Sequence, residues 1–272
     1  MADPEIGRTV DAGGIATNLH DRGDGPPVLF LHGSGPGVTA WANWRTVLPR
    51  MEDRFRVVAP DIVGFGYTDR PAGAVYTMPY RRDHAVAVLD ALGIETCFIV
   101  GNSFGGGLAL ALAAAHPERV GRLVLMGSAG YPFELTPGLD AVWGYEPSPE
   151  RMRELIGLFA WDGSIVTDDL VRLRYEASIR PGYQESYASM FPAPRQRHVE
   201  AMAQSEETLR ALEHETLIVH GRDDRIIPLD SSIALHRLIP RSQLHVFGQC
   251  GHWTQIERND RFCRLVADFF AE

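Results

Sequence analysis

The sequence has 272 residues, 45% of them apolar and 22% charged, which is the composition of a globular protein long enough to bury a sizeable core. Its formal net charge of −9 comes from 35 acidic and 26 basic residues. All the basic residues are arginine, so the charge disfavours nucleic acid or anionic lipid as partners, and lysine-based covalent chemistry is excluded. No apolar run approaches the roughly 20 residues that cross a bilayer, so we predict no membrane partner.

The N-terminal segment and the cysteines indicate the compartment. Residues 1–10 include three charged side chains and lack the apolar core of a signal peptide. Cys97, Cys250 and Cys263 have neither CxxC nor Cys/His ligand spacing, and their odd number argues against a disulfide framework. We therefore predict a cytoplasmic protein without a metal site, and we expect no cofactor.

Short apolar runs rich in β-branched residues predict six buried strands, at 27–31, 56–59, 97–100, 122–126, 216–219 and 243–247. Helical patterns follow three of them, at 80–92, 106–116 and 260–271, and Pro117 should end the middle helix. Alternating strands and helices are typical of the α/β class, in which helices cover both faces of a mostly parallel sheet.

The alternation stops between residues 131 and 212, where no run indicates a strand. Ser148 before Pro149 and Thr167 before Asp168 have the pattern of helix N-caps, and a bend is predicted at 190–195. We predict that residues 131–212 form a helical lid, inserted into an α/β core made of residues 1–130 and 213–272.

The segment 101–105 (GNSFG) follows a predicted strand directly and precedes a predicted helix. A serine at such a sharp turn projects from the end of the strand, and the flanking glycines let neighbouring backbone pass closely. Ser103 is therefore the candidate nucleophile. The alternative is an ordinary glycine turn.

A serine nucleophile needs a general base, and that base needs a carboxylate to orient it. His252 follows the predicted strand at 243–247, and Asp223 and Asp224 follow the one at 216–219. The order Ser, Asp, His is the order expected for a hydrolase with this arrangement of strands. The spacing favours Asp224 over Asp223 and leaves both open.

The glycine-rich segment 32–37 (HGSGPG) follows the first predicted strand. A phosphate-binding loop is disfavoured because no GK[ST] motif follows, and a simple turn is the other alternative. As an oxyanion hole, the backbone N–H groups of Ser34 and Phe104 would face the oxyanion that forms during attack by the serine.

Arg174 is unusual among the charged residues of the predicted lid. Leu170, Leu173 and Ala177 are spaced to share one helical face, and Arg174 falls inside that stripe whereas Arg172 lies opposite. A guanidinium on a buried face needs an anion. Arg174 can form a structural salt bridge, extend its charged end to solvent over an apolar stem, or bind a substrate carboxylate.

Four segments carry a resemblance to a known family: 32–45 (HGSGPGVTAWANWR), 101–111 (GNSFGGGLALA), 173–180 (LRYEASIR) and 249–257 (QCGHWTQIE). They resemble the meta-cleavage product hydrolases of the α/β-hydrolase fold, and the similarity covers nearly the whole chain. The resemblance implies hydrolysis of a carbon–carbon bond in 2-hydroxy-6-oxohexa-2,4-dienoates, the ring-fission products of catechols. It assigns the triad to Ser103, Asp224 and His252 and the oxyanion donors to Ser34 and Phe104.

The same resemblance implies a set of substrate contacts. Asn43, Asn102 and Arg174 match positions that hold the carboxylate and 2-oxo end of the dienoate, and Trp253 matches a residue that packs on the substrate chain. The pocket for the C6 substituent is implied to be lined by apolar residues: Ala129, Leu139, Val142, Trp143, Val199, Ile226 and Ile227. His198 departs from the family pattern, which has tryptophan at this position.

The resemblance is strongest to the 2-hydroxymuconate semialdehyde hydrolase branch, which implies a small C6 substituent and a homo-oligomer acting on a small-molecule dienoate. A carboxylesterase or perhydrolase would use the same triad, but a neutral ester gives Arg174 and Asn102 no partner. A ligand-binding scaffold without catalysis is disfavoured by the intact triad and oxyanion loop.

Overall fold

The fold is that of a computed structural model, which describes residues 3–272; the first two residues of the predicted core segment lie outside the described residues. Eight strands are present: β1 (Arg8–Asp11), β2 (Ala16–Arg22), β3 (Pro27–Leu31), β4 (Arg56–Pro60), β5 (Cys97–Asn102), β6 (Val120–Met126), β7 (Thr216–Gly221) and β8 (Ser242–Phe247). The helices of the core are α1 (Ala40–Trp44), α2 (Leu48–Met51), α3 (Met78–Ala91), α4 (Phe104–Ala115), α11 (Leu229–Leu238), α12 (Thr254–Glu257) and α13 (Asn259–Ala271).

The strands form one sheet in the order β1-β2-β4-β3-β5-β6-β7-β8. In this order, neighbouring strands from β4 to β8 are parallel. At the other edge, β1 pairs with β2 and β2 pairs with β4, and both of these pairs are antiparallel. All six predicted strands are confirmed. The hairpin of β1 and β2 was not predicted, because β1 is short and mostly exposed and therefore lacks a buried apolar run.

Apolar residues cover both faces of the sheet. Along β3, Leu29 and Leu31 pack in the cluster that contains α3, α4 and α11, whereas Val28 and Phe30 pack with α1, α2 and α13. Side chains alternate between the faces of a strand, so a strand that is apolar throughout must be covered on both sides. The three predicted core helices are confirmed, with ends displaced by one or two residues.

Six helices lie between β6 and β7: α5 (Pro137–Trp143), α6 (Pro149–Phe159), α7 (Asp168–Ser178), α8 (Tyr183–Met190), α9 (Gln196–Met202) and α10 (Glu206–Arg210). The predicted caps are confirmed, because Ser148 and Thr167 accept hydrogen bonds from the backbone N–H groups of Arg151 and Leu170. We call residues 131–212 the lid; their standing as a separate domain stays a prediction. No described helix is long and apolar enough to span a membrane.

Candidate active site

Ser103 lies at the turn between β5 and α4, with φ 56° and ψ −116°. This left-handed conformation is strained for a residue with a side chain, and it is typical of functional sites held by their surroundings. The flanking glycines explain how the turn closes. A Cβ on Gly105 would lie 2.3 Å from the carbonyl oxygen of Leu31, and one on Gly101 would lie 2.5 Å from that of Gly105.

His252 and Asp224 form a buried pair beside this turn. The Nδ1 of His252 lies 2.7 Å from Oδ2 of Asp224, and both side chains are at most 3% exposed. Because the carboxylate is an acceptor, Nδ1 carries the proton, and Nε2 is left with a lone pair that can accept one. Burial raises the pKa of Asp224, but His252 and His220 outweigh this effect, and the pKa lies well below its ordinary value.

The two candidate aspartates have different surroundings. Asp223 accepts a hydrogen bond from the Cys250 N–H and lies 3.5 Å from the exposed Arg222. Asp224 contacts His252, and its other oxygen accepts from the N–H groups of Ile226 and Ile227 at 2.7 and 3.1 Å. The geometry thus puts Asp224, and not Asp223, beside the histidine.

Sequence reasoning missed a second histidine at this carboxylate. His220 is fully buried, and its Nε2 lies 3.3 Å from Oδ2 of Asp224 and 3.1 Å from the carbonyl oxygen of Ile227. Both oxygens are acceptors, so Nε2 carries the proton, and Nδ1 accepts from the hydroxyl of Ser232 at 2.7 Å. Asp224 is therefore held by two histidines and two backbone N–H groups.

The backbone N–H groups of Ser34 and Phe104 take part in none of the hydrogen bonds found among residues 3–272. Ser34 lines the cavity that contains Ser103 and His252, and its Oγ accepts from Nε1 of Trp143 at 2.9 Å. His32 supports this loop, since its Nε2 accepts from the Ile62 N–H at 2.9 Å. Burial lowers the pKa of His32 to about 4, so it is neutral near pH 7.

The catalytic cavity lies between the core and the lid. From the core come Ser103, His252, Asn43, Asn102 and Trp253, all of which sequence analysis singled out. From the lid come Arg174 and Leu170 of the predicted stripe, together with four apolar residues that were not predicted: Met152, Ile156, Phe159 and Ile165. The i, i+4, i+7 spacing of the first three along α6 is the sequence signal that marks them as one face.

Arg174 lines the cavity from α7, but the predicted stripe was partly wrong. Leu173 is 47% exposed, and the face that turns inward contains Val171, Ala177 and Ser178 with Arg174. The reason is helical geometry, because positions three and four residues away from Arg174 share its face and the adjacent position does not.

No carboxylate within residues 3–272 lies within 4 Å of the Arg174 guanidinium, which donates to the carbonyl oxygen of Pro36 at 3.1 Å. Burial lowers its pKa to about 10, and the nearby Arg45 and Arg180 add to the effect. Glu5 acts in the opposite direction, but it is paired with Arg180 at 2.8 Å. The cavity thus contains a cation that lacks a close counter-charge.

Other polar groups of the cavity also lack partners. Asn43 accepts from the Gly33 N–H at 3.3 Å, and its Nδ2 has no hydrogen bond. Gln255 donates to the carbonyl oxygen of Asn43, and its Oε1 has no partner. Arg45 also lines the cavity, and neither it nor Gln255 was singled out as a site residue from the sequence. Nδ2 of Asn43 and Oε1 of Gln255 can therefore form hydrogen bonds with a ligand in the cavity.

The remaining predicted contacts lie around the same cavity. Trp253 lines it and stacks on Phe159, with ring centroids 5.0 Å apart. Of the seven residues predicted for the C6 pocket, Leu139, Val142 and Ile226 line the cavity. The other four are buried in the adjoining apolar cluster: Ala129, Trp143, Val199 and Ile227.

Comparison with known proteins assigns the family. Residues 26–259 match the alpha/beta hydrolase fold family. A 2-hydroxymuconate semialdehyde hydrolase from Pseudomonas sp. (strain CF600) is 63% identical over 99% of this chain and 95% of its own length. A 2-hydroxy-6-oxo-2,4-heptadienoate hydrolase from Pseudomonas putida is 61% identical over 98% of this chain and 97% of its own length.

A solved structure agrees. The S103A mutant of the meta-cleavage product hydrolase CumD from Pseudomonas fluorescens IP01 has a TM-score of 0.98 and 58% identity, over 99% of each chain. The chain belongs to the meta-cleavage product hydrolases. The family and the α/β-hydrolase fold indicated by the four motifs are thus confirmed, whereas the roles of individual residues in this meta-cleavage product hydrolase stay predictions.

Proposed function

We propose that this protein hydrolyses the C5–C6 bond of 2-hydroxy-6-oxohexa-2,4-dienoates and releases 2-hydroxypenta-2,4-dienoate and a carboxylic acid. The observation that carries the proposal is Arg174, a cation without a close carboxylate that lines the same cavity as Ser103 and as His252, the partner of Asp224. A substrate with a carboxylate at one end and a reactive carbonyl at the other fits both features.

The first step is ketonisation of the 2-hydroxydienoate. Arg174, Asn43 and Asn102 hold the carboxylate and the C2 oxygen, while Trp253 packs against the chain. The proton of the 2-hydroxyl is lost and a proton is delivered to C5 close to His252, which gives a 2,6-dioxo compound. This step is needed because breaking the C5–C6 bond leaves an electron pair at C5, and the C2 ketone can accept it through the C3–C4 double bond.

The second step is acyl transfer. Nε2 of His252 takes the proton of the Ser103 hydroxyl as its oxygen attacks C6, and the N–H groups of Ser34 and Phe104 donate to the oxyanion. The C5–C6 bond then breaks, its electron pair moves to the C2 oxygen, and protonation there gives the hydroxydienoate. Water activated by His252 hydrolyses the acyl-enzyme and frees the C6 acid.

The C6 pocket supports a preference for small substituents. Leu139, Val142 and Ile226 bring apolar side chains to the cavity, and Trp143 is fixed beside them by its hydrogen bond to Ser34. The substrates named for the two curated relatives carry hydrogen and methyl at C6. We therefore extend the proposal to hydrogen, methyl or a short alkyl group at this position.

Purified protein mixed with a yellow dienolate ring-fission product tests the proposal. We expect the colour to fade and the hydroxydienoate and the C6 acid to appear in equal amounts. A competing carboxylesterase or perhydrolase function would give turnover of simple esters and none of the dienoate.

Arg174→Gln and a matched control extend this test. Arg172→Gln removes an exposed arginine of the same helix, which lies 3.1 Å from Asp169. We expect Arg174→Gln to lower kcat/KM for dienoates by about 10–100-fold, since a charge-assisted pair is lost, and to leave ester hydrolysis nearly unchanged. Equal losses on both substrates would show that Arg174 has a structural role.

We also propose that the enzyme works in the cytoplasm as a homo-oligomer. Its three cysteines are buried and free, which supports a reducing compartment. The sheet ends at β8, an open edge that carries the exposed Val246, and such an edge is available to a second copy. Light scattering of the purified protein should give a mass above 30.1 kDa; a monomer would refute the oligomer.

A further inference from the structure

A second cavity is lined by Phe104, the residue that follows Ser103. It has a volume of about 460 Å³ and lies where the loop before α3 meets the lid helices α8 and α9. Phe104 belongs to both regions, since its N–H is the proposed oxyanion donor and its ring lines the second cavity. None of the residues that line the second cavity lines the catalytic one.

Arg81 contributes the positive charge of this cavity. It lies on α3 and is only 4% exposed. No carboxylate in the described chain lies within 4 Å of it; it donates to the carbonyl oxygen of Tyr76 and contacts Sδ of Met190, and its Nε has no partner. Burial lowers its pKa to about 9. Its guanidinium lies 4.9 Å from the ring centroid of Phe104.

A buried charge without a counter-ion destabilises a fold, so its presence calls for a compensating interaction. The aromatic faces and the Tyr76 carbonyl supply part of that compensation. Arg82, the next residue, shows the usual arrangement, because it is paired with Asp83 at the surface. Burial lowers the pKa of both Arg81 and Arg174, and each of these arginines lines a cavity.

We propose that the Arg81 cavity is a second ligand site that binds a small organic monocarboxylate, with the carboxylate on the Arg81 guanidinium and the apolar part against the surrounding side chains. The walls favour this class over an inorganic anion, because most of them are aromatic or aliphatic: Val75, Tyr76, Met78, Phe104, Phe191 and Met202. The guanidinium of a single arginine can donate charge-assisted hydrogen bonds to one carboxylate, which favours a monocarboxylate.

The proposed function supplies such a ligand, because each turnover releases a carboxylic acid from C6. This identification of the ligand rests on the proposed function, whereas binding itself does not. Occupation of the cavity would place a group against the Phe104 ring, and the backbone of the same residue donates to the oxyanion. The acid product would therefore reduce turnover from a site that the dienoate does not occupy.

Calorimetric titration of the enzyme with isobutyrate, and separately with benzoate, tests the site without any turnover. With the proposed carboxylate clamp of the catalytic cavity removed by Arg174→Gln, we expect saturable binding that becomes about tenfold weaker or undetectable when Arg81→Met is added, because the charge-assisted pair is lost. Binding should be unchanged when the matched control Arg82→Met is added instead, and chloride at the same ionic strength should not compete.

Three results would overturn the proposal: no saturable binding, equal binding in Arg174→Gln with and without Arg81→Met, or loss of binding in Arg174→Gln but not in Arg81→Met. The last would place the carboxylate in the catalytic cavity. If Arg81→Met fails to fold, Arg81→Lys keeps the charge without the planar donor geometry, and weaker binding is again expected. Failure of dienoate turnover with binding retained would refute the proposed function and leave the site standing.

Discussion

Ser103, Asp224 and His252 lie on loops at the carboxyl ends of core strands, whereas Arg174 lies on the lid helix α7, which reaches the cavity from the other side. The core groups are held by many short contacts, such as the four hydrogen bonds around Asp224. Arg174 has one hydrogen bond to backbone and no close counter-charge. The core groups are thus fixed by their neighbours, as the proposed bond-breaking step requires, and Arg174 keeps donors free, as the proposed binding of a carboxylate requires.

If this division is right, the largest losses come from the core. Ser103→Ala and His252→Ala should each lower kcat for dienoates by about 10³-fold or more, because triad members act as a unit. Circular dichroism and thermal unfolding should show an intact fold. A Ser103→Ala enzyme that still completes hydrolysis would contradict the nucleophile assignment.

Site residues of the core could be predicted from the sequence more completely than those of the lid. The strand Cys97–Asn102, the turn at Ser103 and the loop with His252 depend on local apolar runs and glycine chemistry, so their positions could be inferred. For the lid, the residue spacing along α6 and around Arg174 defines helical faces, but which face meets the cavity depends on how the lid helices dock, which no local pattern states. His220 was missed because its role depends on a side-chain contact with Asp224, four residues later, which is visible only in the folded structure.

The adjacent Asp223 and Asp224 test whether the position of the carboxylate beside His252 determines activity. Asp224→Asn should lower kcat by on the order of 10³–10⁴-fold, since the amide no longer orients His252 or stabilises its cation. Asp223→Asn should change it less than about fivefold, because its partner Arg222 is exposed. Steady-state kinetics of the two variants show which aspartate orients His252. Reversed effects would refute the role given to Asp224.

The C6 pocket tests the contribution of the lid to substrate selection. We expect kcat/KM to vary in a graded way among dienoates with hydrogen, methyl and isopropyl at C6, because a methylene in an apolar pocket is worth about 1–3 kcal/mol. A phenyl group should be rejected more steeply, since Trp143 and its neighbours are buried and overpacking adds strain. A phenyl substrate turned over faster than the small ones would contradict the preference and leave the carbon–carbon hydrolase chemistry intact.

The smallest expected effect concerns His220, which donates to the carboxylate oxygen that also accepts from His252. This donation lowers the pKa of Asp224 and withdraws charge from the oxygen that stabilises the His252 cation. In His220→Leu that oxygen becomes more basic and stabilises a neighbouring cation more strongly. The acidic limb of the kcat/KM profile should therefore move up by about half a pH unit, since the lost hydrogen bond is worth about 1 kcal/mol or less. The alkaline plateau should fall only a few-fold, and His220→Gln, whose amide can still donate, should restore the profile. If His220 has a purely structural role, His220→Leu should lower the whole profile without moving its acidic limb. That outcome would show that His220 does not act on His252 through Asp224.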